Sequence, residues 1–412
     1  MHNIFRLAIR NLRRNTRRSI LIVSLIVVGV VFVQGYVAAT NSYKSLIIGQ
    51  ITDAMLGHIQ IHKKGYLISI ENVPLNMNLQ PSQAARAEEI LKSIPEVEAY
   101  SPRIKLAGML SNYVETTNIR LSAVVPSSEF KTATLLPSRI IAGGKDVKEG
   151  DLLAPELLAK GLKLKVGDPV VLVATNKDGS VNGKQFTVGG IVETAPGPGG
   201  RDGYIHFNDA VELLRMQDRE VSEIALRVHR FDQLDHALKK LSAALSREKG
   251  PDGKPAFEVH GWQSLSPFAN VARMIDIMTV FVKLMLIAIV LISIMNAMIM
   301  SVYERTREIG TLAAIGTLPD TILMMFMVEG FCLGVTGVVV GDIISVLLIY
   351  GLRLSHFTFA FGMREGFVLM PEVSPWDFLW VSAIVLVVSV AGSIQPAYKA
   401  SKLEPIKALK SI

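Results

Sequence analysis

The chain of 412 residues has a single cysteine, Cys332, which excludes an internal disulfide and any cysteine-built metal site. Charge is scarce as well: Asp, Glu, Lys and Arg make up 19% of the residues, against about 25% in a soluble domain. There is no HExxH and no GxSxG motif. The pairs Gly144-Lys145, Gly183-Lys184 and Gly253-Lys254 lack the upstream glycine and trailing Ser/Thr of a phosphate loop. We therefore expect no catalytic residues, no metal ligand set and no nucleotide hydrolysis by this chain itself.

What is present is apolar, at 50% of the residues, and it is concentrated. Ser19–Tyr43, Leu284–Tyr303 and Phe378–Tyr398 carry no charge, and between Asp320 and Arg353 only Glu329 and Asp342 interrupt the apolar run. About 20 apolar residues cross a bilayer core, so each stretch is long enough to span it. The first run exceeds the roughly 7–15 residues of a signal-peptide core and is read as a retained span. The sequence thus predicts a helical membrane protein with spans at 19–43, 275–302, 321–352 and 376–398, a 1+3 arrangement.

Orientation follows from where the basic residues lie. Residues 1–18 hold Arg6, Arg10, Arg13, Arg14, Arg17 and Arg18 with no acid, and residues 397–412 hold four lysines against Glu404. Both termini are expected in the cytoplasm, with the loop 303–320 and the tail 399–412. Residues 353–375 form a short loop on the far side. A net charge of +7 that flanks membrane spans gives no support to nucleic-acid binding. In residues 1–18, Ile4, Phe5, Ala8, Ile9 and Leu12 fall on one helical arc and the arginines opposite, the pattern of a helix lying in the interface.

Residues 44–270 read as one large far-side α+β domain of two lobes. Gly57–His62 alternates as a strand, Gln83–Ile94 is helical, and Val170–Ala174 and Phe186–Val192 are strands joined through Asp178-Gly179 and Asn182-Gly183. Asp209–Met216 and Phe231–Ser246 are helical. His58, Gln60 and His62 share one strand face. Without a third ligand nearby, that face is expected to be solvated and not a metal site. Pro196–Gly203 reads as a surface turn.

In the loop after the second span, Ile309, Leu312, Ala313 and Gly316 recur at helical spacing, with Glu304, Arg305 and Glu308 on the other side. Such a short amphipathic helix either lies on the membrane or docks into a partner. In the third span Gly330, Gly334, Gly337 and Gly341 line one face and allow close helix packing. Glu329 lies near the cytoplasmic end and can reach the interface. Asp342 lies deeper, where a hydrogen bond between helices is expected rather than an ion relay.

Asn296, the run Val302-Tyr303-Glu304-Arg305-Thr306-Arg307-Glu308-Ile309-Gly310, then Ala314-Ile315-Gly316 and Glu329-Gly330 resemble the signature of FtsX-like permeases, the membrane subunits of MacB-type (type VII) ABC transporters. The tail from Gln395-Pro396-Ala397-Tyr398-Lys399 to Ala408-Leu409 resembles that family's closing motif. Leu157–Lys160 and Leu164–Asp168 are similar to its periplasmic pattern.

The resemblance implies an inner-membrane permease that works as a dimer, with a second copy or a paralogue, and has a large periplasmic α+β domain between its first two spans. It also implies cytoplasmic ABC ATPase subunits that bind the ATP and Mg, with no cofactor in this chain. Glu304, Arg305, Arg307, Glu308, Leu312 and Ala313 would then contact the ATPase. The form is most similar to lipoprotein-releasing permeases. A tripartite drug or peptide efflux permease, and a regulator of a periplasmic cell-wall hydrolase, are the alternatives. In the family arrangement Phe32 and Met285 would border a substrate cavity open to membrane lipids, and a periplasmic carrier or adaptor would complete the system.

Overall fold

The computed structural model describes residues 10, 14, 16–193, 201–250, 253–355, 358–361, 364–368, 370–371 and 374–404. Most of the expected interfacial helix, the turn at 196–200 and the closing motif from residue 405 lie outside them. The chain divides into two compact units, one of residues 1–44, 273–359 and 366–412, the other of 45–272 and 360–365.

In chain order the elements are α1 (Thr16–Ile51), β1 (Ile59–Lys63), α2 (Pro81–Lys92), β2 (Val97–Ser111), β3 (Thr116–Val124), α3 (Pro126–Thr132), β4 (Ile140–Gly143), β5 (Asp151–Pro155), α4 (Glu156–Gly161), β6 (Pro169–Thr175), β7 (Val181–Val192) and β8 (Asp202–His206). There follow α5 (Phe207–Leu213), β9 (Glu223–Val228), α6 (Leu234–Leu245), β10 (Phe257–Gly261), α7 (Trp262–Leu265), α8 (Phe268–Glu304), α9 (Thr306–Ala314), α10 (Pro319–Leu354), β11 (Thr358–Phe361), β12 (Arg364–Val368) and α11 (Pro375–Ser401). Four of the helices, α1, α8, α10 and α11, are long and apolar enough to cross a membrane.

The spanning unit is built by stripes of residues. The buried positions on α1 include Ile26, Val30, Val33 and Val37, and those on α8 include Leu286, Val290, Ile294 and Met298. Both recur every three or four residues, as a packed helix face requires. The outer faces stay apolar (Leu21, Val28, Phe281 and Leu347 are all exposed), because the surrounding solvent is lipid. Close approach, not hydrophobic burial, holds such helices together, and the glycines of α10 provide it. A Cβ on Gly330 or Gly334 would come within 2.7 Å of Ser393 Cβ or Ser389 Cβ on α11. One on Gly337 would meet Ile26 Cγ2 at 2.6 Å, and one on Gly341 would meet Val30 Cβ at 2.9 Å, both on α1. The four glycines therefore seat two neighbours, the first pair α11 and the second pair α1.

The other unit holds a sheet in the order β10-β1-β9-β2-β3-β8-β5-β7-β4, with β6 pairing β2 and β7. One hydrogen-bonded sheet is continuous through this unit. The reason is the length of β2: its first half pairs β9 through Val97–Arg103, and its last residues pair β6 through Gly108–Ser111. Helices α2 and α6 bury Ala84, Ala87 and Leu91, and Ala237, Leu241 and Leu245, in one core with strand residues such as Ile59, Ile104 and Leu226. The β6–β7 hairpin turns at Asp178-Gly179, where Asp178 Oδ1 accepts from Ser180 N at 2.9 Å, while Asn182-Gly183 lies inside β7.

The solvated face expected for His58, Gln60 and His62 is a correction. All three side chains are buried. Strand β1 lies between β10 and β9; His58 and Gln60 find hydrogen-bond partners inside the domain, while the ring nitrogens of His62 make no hydrogen bond among the described residues. His58 Nδ1 accepts from Val228 N at 3.1 Å, which leaves Nε2 to donate to Asp53 Oδ1 at 3.1 Å. His62 stacks on Tyr66 at 4.8 Å and lies 3.7 Å from Glu223. Beside it the fully buried Arg103 grips Glu129 with Nε and Nη2 at 2.9 and 2.7 Å and reaches Glu223 with Nη1 at 3.0 Å. Burial alone would raise the Glu223 carboxyl. Lys105, His62 and Arg103 outweigh that and hold it far below the usual glutamate range.

Candidate coupling site

The site grows from the turn between α8 and α10. Helix α8 ends at Glu304, and α9 starts at Thr306 after one non-helical residue, Arg305. At the other end Gly316 takes φ +95°, a left-handed conformation that suits glycine. Gly316 N donates to Ala313 O at 3.1 Å and Thr317 N to Leu312 O at 3.0 Å, a paired closure that satisfies the last carbonyls. Pro319 then opens α10 at a position where its missing N–H costs no helical bond.

The fold turns Arg305 inward, which corrects its expected place on the partner-facing side. Its side chain is 8% exposed. Nη1 donates to Glu329 Oε2 on α10 at 3.1 Å, Nε donates to Glu308 Oε2 at 3.1 Å, and the guanidinium lies 5.5 Å from the Phe326 ring centroid. The residue misled a periodicity argument because it is not on the helix at all: it sits in the break, where its direction is free of the helical repeat. Glu308 also pairs with Arg14, which precedes α1. Partial burial pushes the Glu308 carboxyl up, but hydrogen bonds from Arg305 and Arg14 outweigh it and hold it below the ordinary value.

Ile309 is buried, and Leu312 and Ala313 are half-buried against the spanning core, so the apolar face of α9 is occupied by the protein's own bundle. Leu312 and Ala313, expected at the partner, are therefore anchors. Glu304, Arg307 and Glu308 are exposed. Beside them are three large side chains that the sequence argument did not single out: Tyr303, Ile315 and Leu318, exposed by 72%, 75% and 69%. The signal available was that Ile315 and Leu318 flank Gly316, past the point where the helical stripe ends.

Of the intramembrane acids, Glu329 meets Arg305 as described. Asp342 receives Gln34 Nε2 of α1 at 3.3 Å and Ser382 Oγ of α11 at 2.7 Å, so one carboxylate ties three helices. Phe32 and Met285 are exposed by 63% and 50% on the outside of the unit. The expected cavity is not formed at them within one chain. An apolar groove of about 760 Å³ lies elsewhere, between α1 and α10.

Four spanning helices, an α/β domain inserted after the first, and an amphipathic loop helix after the second define a permease of the ABC type with an extracytoplasmic domain. Residues 19–244 match the MacB-like periplasmic core domain and residues 280–405 the FtsX-like permease C-terminal domain. The chain belongs to this FtsX-like, MacB-type permease family. It is 24% identical over 341 residues to the lipoprotein-releasing system transmembrane protein LolC of Xylella fastidiosa (strain Temecula1), covering 77% of this chain and 78% of that one. It is 24% identical over 422 residues to the macrolide export ATP-binding/permease protein MacB 1/2 of Paracoccus denitrificans, covering 98% of this chain and 58% of that one. The solved periplasmic region of MacB from Actinobacillus actinomycetemcomitans is 13% identical with a TM-score of 0.37, covering 51% of this chain and 92% of that one. The protein is a multi-pass inner-membrane ABC permease of the LolC/MacB type.

Proposed function

We propose that this permease couples ATP hydrolysis in a separate cytoplasmic ATPase to motion of its periplasmic domain, and so extracts a lipoprotein or another lipid-anchored substrate from the outer leaflet of the inner membrane. The observation that supports the coupling step is α9. Its apolar side is packed into the spanning helices, so a push on its exposed side (Tyr303, Arg307, Ile315, Leu318) is delivered to the bundle and not absorbed by the membrane. In this reading both termini lie in the cytoplasm, which the arginines before α1 and the lysines after α11 support. ATP and Mg are held by the partner. The working unit contains a second permease, whose α1 and α8 would close a cavity against Phe32 and Met285, and a periplasmic carrier or adaptor receives the substrate.

The lipid-anchored substrate is favoured by LolC relatives matched over more than three quarters of both chains. Efflux is the second reading, favoured by 33% identity over 147 residues to the macrolide export protein MacB of Neisseria gonorrhoeae. Two experiments test the proposal. Arg307→Glu with Ile315→Asp is expected to strip the ATPase from the purified complex while membrane insertion is unchanged, and a retained ATPase would refute the docking face. Photo-crosslinkers at Phe32 and Met285 are expected to capture a lipoprotein without nucleotide and release it on ATP binding. Capture of phospholipid alone in both states, with ATPase stimulation by a soluble drug or peptide, would replace extraction by efflux.

A further inference from the structure

The groove between α1 and α10 has no role in coupling or in the extraction pathway. It follows α1 from Thr16 to Val28 and α10 from Phe331 to Val340. At 1.5 Å per residue the α1 wall is about 18 Å long. The hydrocarbon of one leaflet is about 15 Å deep, half of the roughly 30 Å core. The groove therefore runs the depth of one leaflet, from its headgroup boundary to the bilayer centre.

Two of its hydroxyls are bonded within their own helices. Ser24 Oγ donates to Leu21 O at 2.8 Å, and Thr336 Oγ1 donates to Cys332 O at 2.9 Å. At these two positions the hydrogen-bonding need is met within the helix, so Ser24 and Thr336 present methylene and methyl surface to the groove. Small residues such as Ser19 and Ser24 would also admit a helix from another chain, so what favours a lipid is charge at one end beside an otherwise apolar wall. One end alone is charged. At the Thr16 end Arg14 and Arg17 are both exposed, and the acid beside them, Glu308, is already shared by Arg14 and Arg305.

We propose that this groove is a binding site for an anionic phospholipid of the leaflet at the arginine end, with one acyl chain between α1 and α10 and its phosphate at Arg14 and Arg17. The inference rests on the spanning arrangement alone and not on the substrate reading, since the site opens to the leaflet opposite the one from which extraction is proposed. An anionic headgroup there competes with Glu308 for Arg14 and so bears on the seating of α9.

The test uses the full chain in nanodiscs of phosphatidylcholine carrying a small fraction of diazirine-tagged phosphatidylglycerol or diazirine-tagged phosphatidylcholine, with labelled peptides read by mass spectrometry. The anionic probe is expected to label 19–28 and 331–340 at least fivefold more than the zwitterionic one, a ratio that corresponds to about 1 kcal/mol, the contribution of one basic residue near the surface. Arg17→Gln is expected to lower the ratio. Ser24→Phe, which fills the groove from an exposed position, is expected to remove that labelling while labelling at the exposed Phe281 of α8 persists. Thr336→Phe fills it from the opposite wall if the first variant folds poorly. Equal labelling by the two probes, or labelling unchanged in both filled variants, overturns the proposal. So does efficient disulfide formation between two copies through Ser24→Cys, which would make the groove a protein interface.

Discussion

Replacing Arg305 by methionine gives the sharpest test of how α9 is held. The substitution keeps the length of the stem but removes a buried guanidinium from Glu329, whose side chain is 9% exposed, and from Glu308, whose side chain is 46% exposed. The second loss is screened by solvent and counts for little. The first removes one member of a buried pair, which costs about 3–5 kcal/mol because the remaining charge stays desolvated. Replacing both members by apolar groups is close to neutral, because the desolvation disappears with the charges. Arg305→Met is thus expected to destabilise the spanning unit by about 3 kcal/mol, and Arg305→Met with Glu329→Met to recover most of that. Thermal unfolding of the full chain in detergent reads both stabilities, and co-purification of the ATPase reads docking. A residue that merely positions α9 regains docking in the double variant. A residue that touches the ATPase does not. If the double variant docks as poorly as Arg305→Met while being as stable as the parent chain, Arg305 is a contact residue after all and the positioning argument fails.

Asp342→Asn keeps an acceptor for Gln34 and Ser382 and should be mild, while Asp342→Leu leaves both donors facing apolar surface at a cost of about 1–3 kcal/mol; equal loss of transport in both, at normal expression, would show that a negative charge is needed. Gly337→Val pushes Ile26 from α1 and Gly334→Val pushes Ser389 from α11, so disulfide trapping between engineered cysteine pairs should show α10 parting from α1 in the first variant and from α11 in the second. The periplasmic unit should lose stability in acid through Glu223. A carboxyl whose folded pKa is depressed contributes stability that is whole above the unfolded value of 4.5 and is lost as pH falls from there through the folded value. Unfolding temperatures of the parent chain are therefore expected to drop as pH falls below about 4.5 more steeply than those of Glu223→Gln, and parallel slopes there would refute the assignment.

The elements that declared themselves in the sequence are those whose periodicity is set by one environment. The four spans are uniformly apolar because lipid surrounds them, and the glycines at 330, 334, 337 and 341 repeat because one helix face must be bare. Asp342 could be given a hydrogen-bonding role from its position alone, since an acid there has few other ways to be tolerated. What the sequence hid were polar residues inside. His58, Gln60, His62 and Arg305 look like solvent-facing positions to a rule that sends polar groups outward. Three of them meet a partner from another element: Val228 for His58, Glu223 for His62 and Glu329 for Arg305. For the histidines the partner lies more than a hundred residues away, and for Arg305 it lies on the next long helix, so neither leaves a local pattern. The exposed Ile315 and Leu318 are the converse, apolar side chains left outside where the helical stripe has already closed at Gly316.

These two inversions at α9 belong together. A short helix has too little surface both to anchor itself and to present a broad partner face if each role is confined to one class of residue. Here the apolar stripe and one buried arginine supply the anchorage, so the exposed side is free to combine charge at Glu304 and Arg307 with apolar bulk at Tyr303, Ile315 and Leu318. Interface cores favour aromatic and apolar anchors, with charges at the rim. The energetic centre of docking is then expected at Ile315 and Leu318, and the charged residues are expected to govern encounter. Ile315→Ser and Leu318→Ser should each weaken ATPase binding through faster dissociation. Arg307→Gln should instead slow association and reduce its salt dependence. Surface plasmon resonance at two ionic strengths separates the two effects. If Arg307→Gln accelerates dissociation more than Ile315→Ser does, the charged pattern that first marked this loop in the sequence is the docking centre, and the apolar pair is not.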